Sequence, residues 1–528
     1  MVDPLDYLMQ NGLTLEEIIR EQRAGISFEE QAKAVAAIRA RGGEVRDGEH
    51  LEAVRPDDFS DAGNSDVFCR KCGQDLLYTD SRGWLWWDGM RWQANDHQAH
   101  RLAEELTASM LEDALGTYQE ALFREAEVKA LDTKNTEAQE KAAAAVKREK
   151  AYLQHAQNTR NERKIKAFLE LAKHRLVISP EMLDANPAEL NTPGGIIDLT
   201  TGAVREHDRR ALCTKVTACA IDTENQDGAT VWVQFLQTVS SGDVKLAAFL
   251  QQVAGMALFG QVYEEGLVLA YGGGRNGKST FFNALAAVFG DYAGEISIEV
   301  LTTDRQNRGP EIVELRGKRL VLAGELEEGR RLSVSTVKKI TSTDRITAAA
   351  KYRQPETFTP AHTLILHSNH LPRVGSRDEG TWRRLKLVEF AARIPENEGI
   401  QNYADLLFKK AGDVILAWAV QGAMDFARNG YKLMVPDVVA MKTEEYRQRE
   451  DWLENFLSER CVLEPGSRAP AGELYQVYRQ WAEDAGDYVR RLTDFNNAME
   501  ERGFERRNTH GRKSWVGLKI DFQARFSA

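Results

Sequence analysis

Residues Gly272-Gly273-Gly274-Arg275-Asn276-Gly277-Lys278-Ser279-Thr280 set glycines, a lysine and two hydroxyls at the spacing G-x-x-x-x-G-K-[ST]. That spacing suits phosphate: glycines let backbone N–H groups close on an anion, the lysine reaches the β- and γ-phosphates, and the first hydroxyl holds Mg²⁺. The expected cofactors are therefore ATP and Mg²⁺, with residues 272–280 as the binding segment, Lys278 as its cation and Ser279 as a metal ligand. The flanks agree. Leu267-Val268-Leu269-Ala270 is an apolar run that reads as a buried strand, and Phe281 to Phe289 reads as a helix stopped by Gly290. Strand, loop and helix in that order aim a helix N-terminus at the ligand.

Hydrolysis needs an acid, a polar sensor and a further cation. The run from Lys318 to Glu328 reads as a second buried strand ending in carboxylates, and Glu325, with Glu327 as second candidate, suits metal binding and water activation. Thr363-Leu364-Ile365-Leu366-His367-Ser368-Asn369 reads as a third strand ending in an amide. Asn369 can orient the attacking water and sense the terminal phosphate; its other reading is a turn residue before Leu371-Pro372. Arg383 and Arg384 offer a guanidinium to transition-state charge, against the alternative of a structural ion pair. Cys69-Arg70-Lys71-Cys72 has the spacing of half a zinc site. It lacks a second matched pair, so it reads as two ordinary thiols.

Five segments must position these groups. Residues 1–60 read as a helical segment, and 61–225 as a mainly helical domain. The latter opens with an aromatic hairpin, Trp84 to Trp92 around Asp88-Gly89, continues as long charge-laced helices from about His97 to Leu176, and carries a short strand at Ile196-Ile197-Asp198-Leu199. Residues 226–395 hold the ATPase groups. Residues 396–460 read as helices, Tyr403 to Arg428 and Val438 to Arg460, the first stopped by Asn429-Gly430. Residues 461–528 read as a small α/β module with a closing hairpin, a pattern that suggests a winged helix. Arg506, Arg507, Arg512 and Lys513 at its tip are phosphate-contact candidates, or else a solvated loop.

A chain of 528 residues has room for roughly three or four domains. Charged residues at 28% and hydrophobic residues at 42% suit a soluble globular protein. The net charge of −11 excludes a wholly basic nucleic-acid coat, so any nucleic acid must be held by a local basic surface. Five cysteines make no disulfide scaffold and point to a reducing compartment. No secretory leader or membrane-length apolar run is visible, so the expected location is cytoplasmic, a bacterial host's cytoplasm if the chain is phage-encoded.

Over roughly residues 57–528 the order of motifs resembles the phage and plasmid primase-helicases of the poxvirus-primase type, members of helicase superfamily 3. The resemblance is carried by the P-loop with Asp291-Tyr292-Ala293 after its helix, the acidic box at Glu325, the element Lys338 to Thr347, Ser368-Asn369-His370-Leu371-Pro372, and Trp382-Arg383-Arg384-Leu385. Asp58 to Val67, Trp84 to Trp92 and Leu190 to Thr201 look like the family's amino-terminal domain. Ser342 and Thr343 replace the paired glycines of the middle element, and Ala349 stands where many members carry arginine. The resemblance implies an α/β P-loop, AAA+-like ATPase core and a replicative DNA helicase of a phage or mobile element, moving 3'–5' on single-stranded DNA as a hexameric ring. It further implies Glu325 on metal and water, Asn369 as sensor, Arg384 or Arg383 reaching a neighbouring subunit, and Lys351-Tyr352-Arg353 on a hairpin gripping DNA in the pore. Its partners would be single-stranded or forked DNA, further copies of itself and a separate primase or polymerase, with no membrane. The other reading is an ATP-switched loader or remodelling factor that acts on replication proteins without unwinding. Only about sixty residues precede the helical domain, less than a polymerase domain occupies, so no primer synthesis is expected of this chain.

Overall fold

The computed structural model describes residues 54–131, 136–302, 309–349, 356–374, 379–395, 399–484, 488–509 and 512–521. They form two compact units, one reaching Ala185 and including Asp208–Thr214, the other formed by Asn186–His207 and the chain from Lys215 onward.

The first unit contains α1 (Asp61–Cys72), strands β1 (Leu76–Thr79), β2 (Gly83–Trp87) and β3 (Trp92–Ala94), and helices α2 (Asp96–Leu131), α3 (Thr136–Thr159) and α4 (Glu162–Leu176). The three strands form an antiparallel sheet. The Asp88-Gly89 turn joins β2 to β3: Asp88 Oδ1 accepts from the Met90 and Arg91 amides at 2.9 and 2.8 Å, and Gly89 takes a φ of 102°. Phe68, Trp84, Met110, Tyr152 and Phe168 fill the core. Cys69 and Cys72 lie on α1 against that core, where burial raises both thiols, Cys72 to about 11. Both are thus protonated at neutral pH.

The second unit begins with a small antiparallel sheet, β4 (Glu189–Thr192), β5 (Gly195–Asp198) and β6 (Val204–Arg205). Then come α5 (Gln226–Val239), α6 (Val244–Met256), β7 (Leu267–Tyr271), α7 (Lys278–Phe289), β8 (Ala293–Ile296), α8 (Ile298–Leu301), α9 (Gly309–Glu314), β9 (Leu320–Ala323) and α10 (Val334–Ile340). A short hairpin, β10 (Ile346–Ala348) and β11 (Glu356–Phe358), precedes β12 (Thr363–Ser368), α11 (Glu379–Trp382), β13 (Leu385–Glu389), α12 (Tyr403–Arg428) and α13 (Asp437–Glu450).

Five strands form one parallel sheet in the order β13-β7-β12-β9-β8. Strand side chains alternate between faces, and here both faces are buried. Val268, Ala270, Leu322, Ile365 and Val388 join the core built with Trp232, Phe249, Phe281 and Ile415 of α5, α6, α7 and α12. Leu267, Leu269, Val321, Leu366 and Leu387 join the opposite core with Ile340, Trp382 and Tyr446. Burial on both sides explains why these strands read as unbroken apolar runs. A helical amino-terminal region and a doubly covered parallel sheet fit a nucleotide-binding domain.

Helices α6 and α12 touch backbone to backbone. A Cβ on Gly255 would overlap the Ala423 amide, and one on Gly422 would overlap the Gln251 carbonyl. Neither obstacle is a movable side-chain tip, so Gly255→Ala should destabilise this unit by about 3 kcal/mol, the upper range of overpacking costs. Urea unfolding followed by tryptophan fluorescence checks this; an unchanged midpoint would mean that the helices part freely.

The chain ends in α14 (Trp452–Arg460), β14 (Cys461–Pro470), α15 (Ala471–Asp484), α16 (Leu492–Glu501), β15 (Arg506–Thr509) and β16 (Arg512–Ile520). Its sheet runs β14-β16-β15, antiparallel, over Phe456, Tyr478, Phe495 and Trp515. The stretch read as one helix from Val438 to Arg460 divides at Asp451, whose carboxylate accepts from the Glu454 amide at 3.2 Å and starts a new helix.

Candidate nucleotide site

The loop between β7 and α7 turns through left-handed backbone at Gly274 (φ 86°), Arg275 (φ 47°) and Gly277 (φ 78°). Gly272 is required by space, because a Cβ there would overlap the Asn276 amide and the Phe390 carbonyl. Asn276 itself is 3% exposed. Its Nδ2 donates to the Phe390 carbonyl at 3.2 Å, and its Oδ1 accepts from the Lys278 amide at 3.3 Å. One side chain thus ties the loop both to the residue after β13 and to the first turn of α7. Gly273 and Gly274 have nothing within 4 Å of a Cβ position, so this arc of backbone borders open space. Ser279 and Thr280 follow, half-buried, in the first turn of α7.

Lys278 is 4% exposed, and its Nζ donates to Asn369 Oδ1 at 3.1 Å. Burial holds its pKa below the ordinary lysine value, with the Glu325 carboxylate pulling the other way. Among the described residues no carboxylate lies within ion-pair distance of this ammonium. A buried cation whose partner is a neutral amide fits a site made for an anion.

Strand order brings the other groups near. Asn369 directly follows β12, and β12 lies between β7 and β9. Glu325 lies two residues beyond β9 and is exposed. Ser368 fastens the acidic turn to β12, its Oγ accepting from the Leu326 amide at 3.2 Å. Lys278, Asn369 and Glu325 therefore stand at the C-terminal ends of three adjacent parallel strands, where open α/β sheets hold ligands. Glu327 turns outward and pairs with Arg330 at 2.6 Å. His367 was not singled out in the sequence. It stacks on Phe282 with centroids 6.2 Å apart, and burial and the Lys278 charge lower its pKa, so a neutral imidazole lies under the site.

Beside the loop a cavity of about 530 Å³ is lined by Phe235, Thr238, Gly277, Thr280, Ile394 and Tyr403, among others. Phe235 and Tyr403 meet edge to face at 5.7 Å. The cavity adjoins the P-loop and has the size of a small-ligand site. Its residues come from three separated segments, which no local motif signals.

Arg383 and Arg384 are not brought to this site within the chain. The Leu267 amide donates to the Arg384 carbonyl at 2.7 Å, which places both arginines at the start of β7 rather than its end. At about 3.3 Å per residue, β7 separates them from the P-loop by roughly 13 Å. Arg384 pairs with Glu265 and donates to the Gly380 carbonyl at 2.9 Å. Arg383 is exposed, and its guanidinium has no partner among the described residues.

Lys351, Tyr352 and Arg353 lie outside the described residues; the flanking strands β10 and β11 pair antiparallel. Arg506 is exposed, 3.4 Å from Glu500 and over the Trp515 ring at 5.6 Å. Arg507 pairs with Glu505 at 2.8 Å, and Lys513 is exposed. The Arg512 backbone pairs with Thr509, while its side chain is outside the described set. Among the described residues no His, Cys, Asp and Glu group is arranged to hold a metal alone, and no helix is long and apolar enough to cross a membrane.

Two family models match: "D5 N terminal like" over residues 65–241, and "Family of unknown function (DUF5906)" over residues 270–384. The "Putative helicase L207/L206" of Acanthamoeba polyphaga mimivirus is 27% identical over 322 residues, 57% of this chain and 33% of that protein. The "Putative primase C962R" of African swine fever virus is 24% identical over 328 residues, 57% of this chain and 34% of that protein. The "Putative helicase 022R" of Frog virus 3 is 24% identical over 228 residues, 40% of this chain and 23% of that protein. This chain thus spans about a third or less of the length of each relative. Among solved structures, an apo form of the NrS-1 C-terminal region aligns over 60% of this chain and 88% of its own at 12% identity and a TM-score of 0.34. The amino-terminal match and these viral relatives support a primase-helicase family of the poxvirus-primase type for this chain.

Proposed function

We propose that this chain is an ATP-driven DNA helicase that moves along single-stranded DNA as a hexameric ring, 3'–5', in the replication of a phage or other mobile element. One observation carries the reading: the ends of β7, β12 and β9 gather Lys278, Asn369 and Glu325 beside an open glycine loop. The all-parallel sheet with helices on both faces supports the AAA+-like core. The order of helices and hairpin after Trp452 supports a winged-helix-like end module.

In this reading the backbone of residues 272–277 and Lys278 hold the triphosphate of ATP, while the adjoining cavity takes the nucleoside. Ser279 and Glu325 would hold Mg²⁺, which when bound supplies positive charge to the phosphates. Lys278 exchanges its amide partner for a phosphate oxygen, and Asn369 Oδ1, released, orients the attacking water. Glu325 is the carboxylate placed to take that water's proton. Arg383, exposed, is better placed than Arg384 to stabilise charge in a neighbouring copy's site. Lys351, Tyr352 and Arg353 are proposed as the pore grip, and Arg506, Arg507, Arg512 and Lys513 as further phosphate contacts.

ATP turnover by the purified chain should rise several-fold on adding single-stranded DNA, and a labelled strand should leave a forked duplex only when ATP is present. Stimulated turnover with no strand displacement would overturn the unwinding reading.

A further inference from the structure

Where the P-loop unit meets its terminal module there is a second, smaller cleft of about 280 Å³ that the ATP site does not use. Arg331 and Arg373 line it from the sheet side, Arg449 from the end of α13, and Arg490 from the segment before α16. The backbones of Arg331 and Arg373 pair as a parallel bridge. Paired residues of a sheet project their side chains to one face, so two guanidiniums emerge side by side. Glu450 and Glu459 also line the cleft, and each already serves the fold. Glu450 Oε2 accepts from the Val374 amide at 2.8 Å, and Glu459 Oε2 accepts from Trp481 Nε1 at 2.8 Å. Among the described lining residues four arginines stand beside two carboxylates, in a chain whose net charge is −11.

The rings distinguish the ligand. The Arg490 guanidinium lies 4.2 Å from the Trp452 centroid, and that of Arg331 lies 5.4 Å from the Tyr488 centroid. Tyr488 is 55% exposed, a large flat surface left in water beside cations. Guanidinium forks bind phosphate oxygens in pairs, and an exposed ring beside them stacks a base. An acidic protein segment would use the arginines and leave the ring idle. A cleft of about 280 Å³ is too small to enclose a duplex. We infer that this cleft grips a single strand of DNA, with Arg449 and Arg490 on neighbouring phosphates and Tyr488 against a base. The inference rests on the reading above that the chain works on DNA, and it adds a contact surface to that reading.

The test is fluorescence anisotropy of a labelled oligothymidylate with the full chain, titrated over a range of salt. Arg449→Gln with Arg490→Gln should weaken binding about tenfold and lower the slope of log affinity against log salt by about 1.4, since each single-strand phosphate contact contributes roughly 0.7. Thermal melting confirms that the variant is folded. Independently of any variant, ultraviolet crosslinking of the same oligonucleotide to the wild-type chain should label the peptide carrying Tyr488. Wild-type binding with an unaltered double variant and no label at Tyr488 would overturn the cleft alone. No DNA binding by the wild-type chain would overturn the helicase reading with it. Displacement of the oligonucleotide by polyglutamate at equal charge concentration would reassign the cleft to an acidic protein partner.

Discussion

Replacing Lys278 by methionine should abolish ATP hydrolysis and at the same time make the P-loop unit more stable. Turnover should fall about 100- to 1000-fold, the cost of deleting one preorganised donor at developing charge. The gain in stability has a separate origin. Lys278 is buried, bonded to a neutral amide, and held below its ordinary pKa by burial. A lysine whose folded pKa is lowered costs stability at any pH where both folded and unfolded states are charged. The cost fades as pH rises through the folded value toward the unfolded value of 10.5. The variant should therefore melt about 2 °C above wild type at pH 7, on the scale of roughly 1 kcal/mol for a unit of this size, and the difference should close at alkaline pH. Mg-ATP should reverse the ranking by stabilising wild type only. Near-normal turnover in the variant would remove Lys278 from the site; an unchanged melt would mean that burial of the lysine carries no cost in the apo protein.

The second large effect is complementation. Arg383→Ala and Lys278→Ala chains should each be inactive alone, and an equal mixture should regain ATPase activity. Random association of two subunit types in a ring leaves roughly a quarter of interfaces with both an intact P-loop and an intact arginine. The geometry motivates this: both arginines lie at the start of β7, whereas the P-loop lies at its end. Arg384 is distinguished from Arg383 by its ion pair with Glu265. Arg384→Ala leaves a half-buried carboxylate unpaired, so it should lower the melting temperature, while Arg383→Ala should leave it unchanged. No recovery in mixtures shown by native mass spectrometry to co-assemble would place the arginine's role within its own chain.

What was legible in the sequence was local. The strand, glycine loop and helix around Lys278 could be read because an apolar run, a left-handed turn and a helix start follow one another within Leu267–Phe289. The Asp88-Gly89 hairpin, the stop of α12 at Arg428 and the two helices of the last module follow from turn chemistry and helical period in the same way. Pairings between distant segments were not legible. Nothing in the spacing says that β12 inserts between β7 and β9, yet that insertion is what brings Asn369 to Lys278, 91 residues away. Arg384 could not be told from Arg383 by type, because Glu265, 119 residues earlier, makes the difference. Asn276 occupies a position the motif leaves free, and its role appears only once Phe390 is beside it. The strand expected at Ile196 is present as β5, but its place among the residues that fold with the P-loop unit depends on packing that no turn signal encodes.

Strand β13 has a mechanical consequence. Its leading end follows directly on Arg383 and Arg384, and the residue after its trailing end, Phe390, holds the P-loop through Asn276. An extended strand, bonded along one side to β7 as β13 is, barely stretches. In the proposed ring, each copy's β13 is then a strut five residues long with one catalytic centre at each end: its own at Phe390, its neighbour's at Arg383. Displacing the loop by ligand would push or pull the arginine into the next centre with little slack. Firing would pass from copy to copy in a fixed phase, set by the stiffness of a single strand.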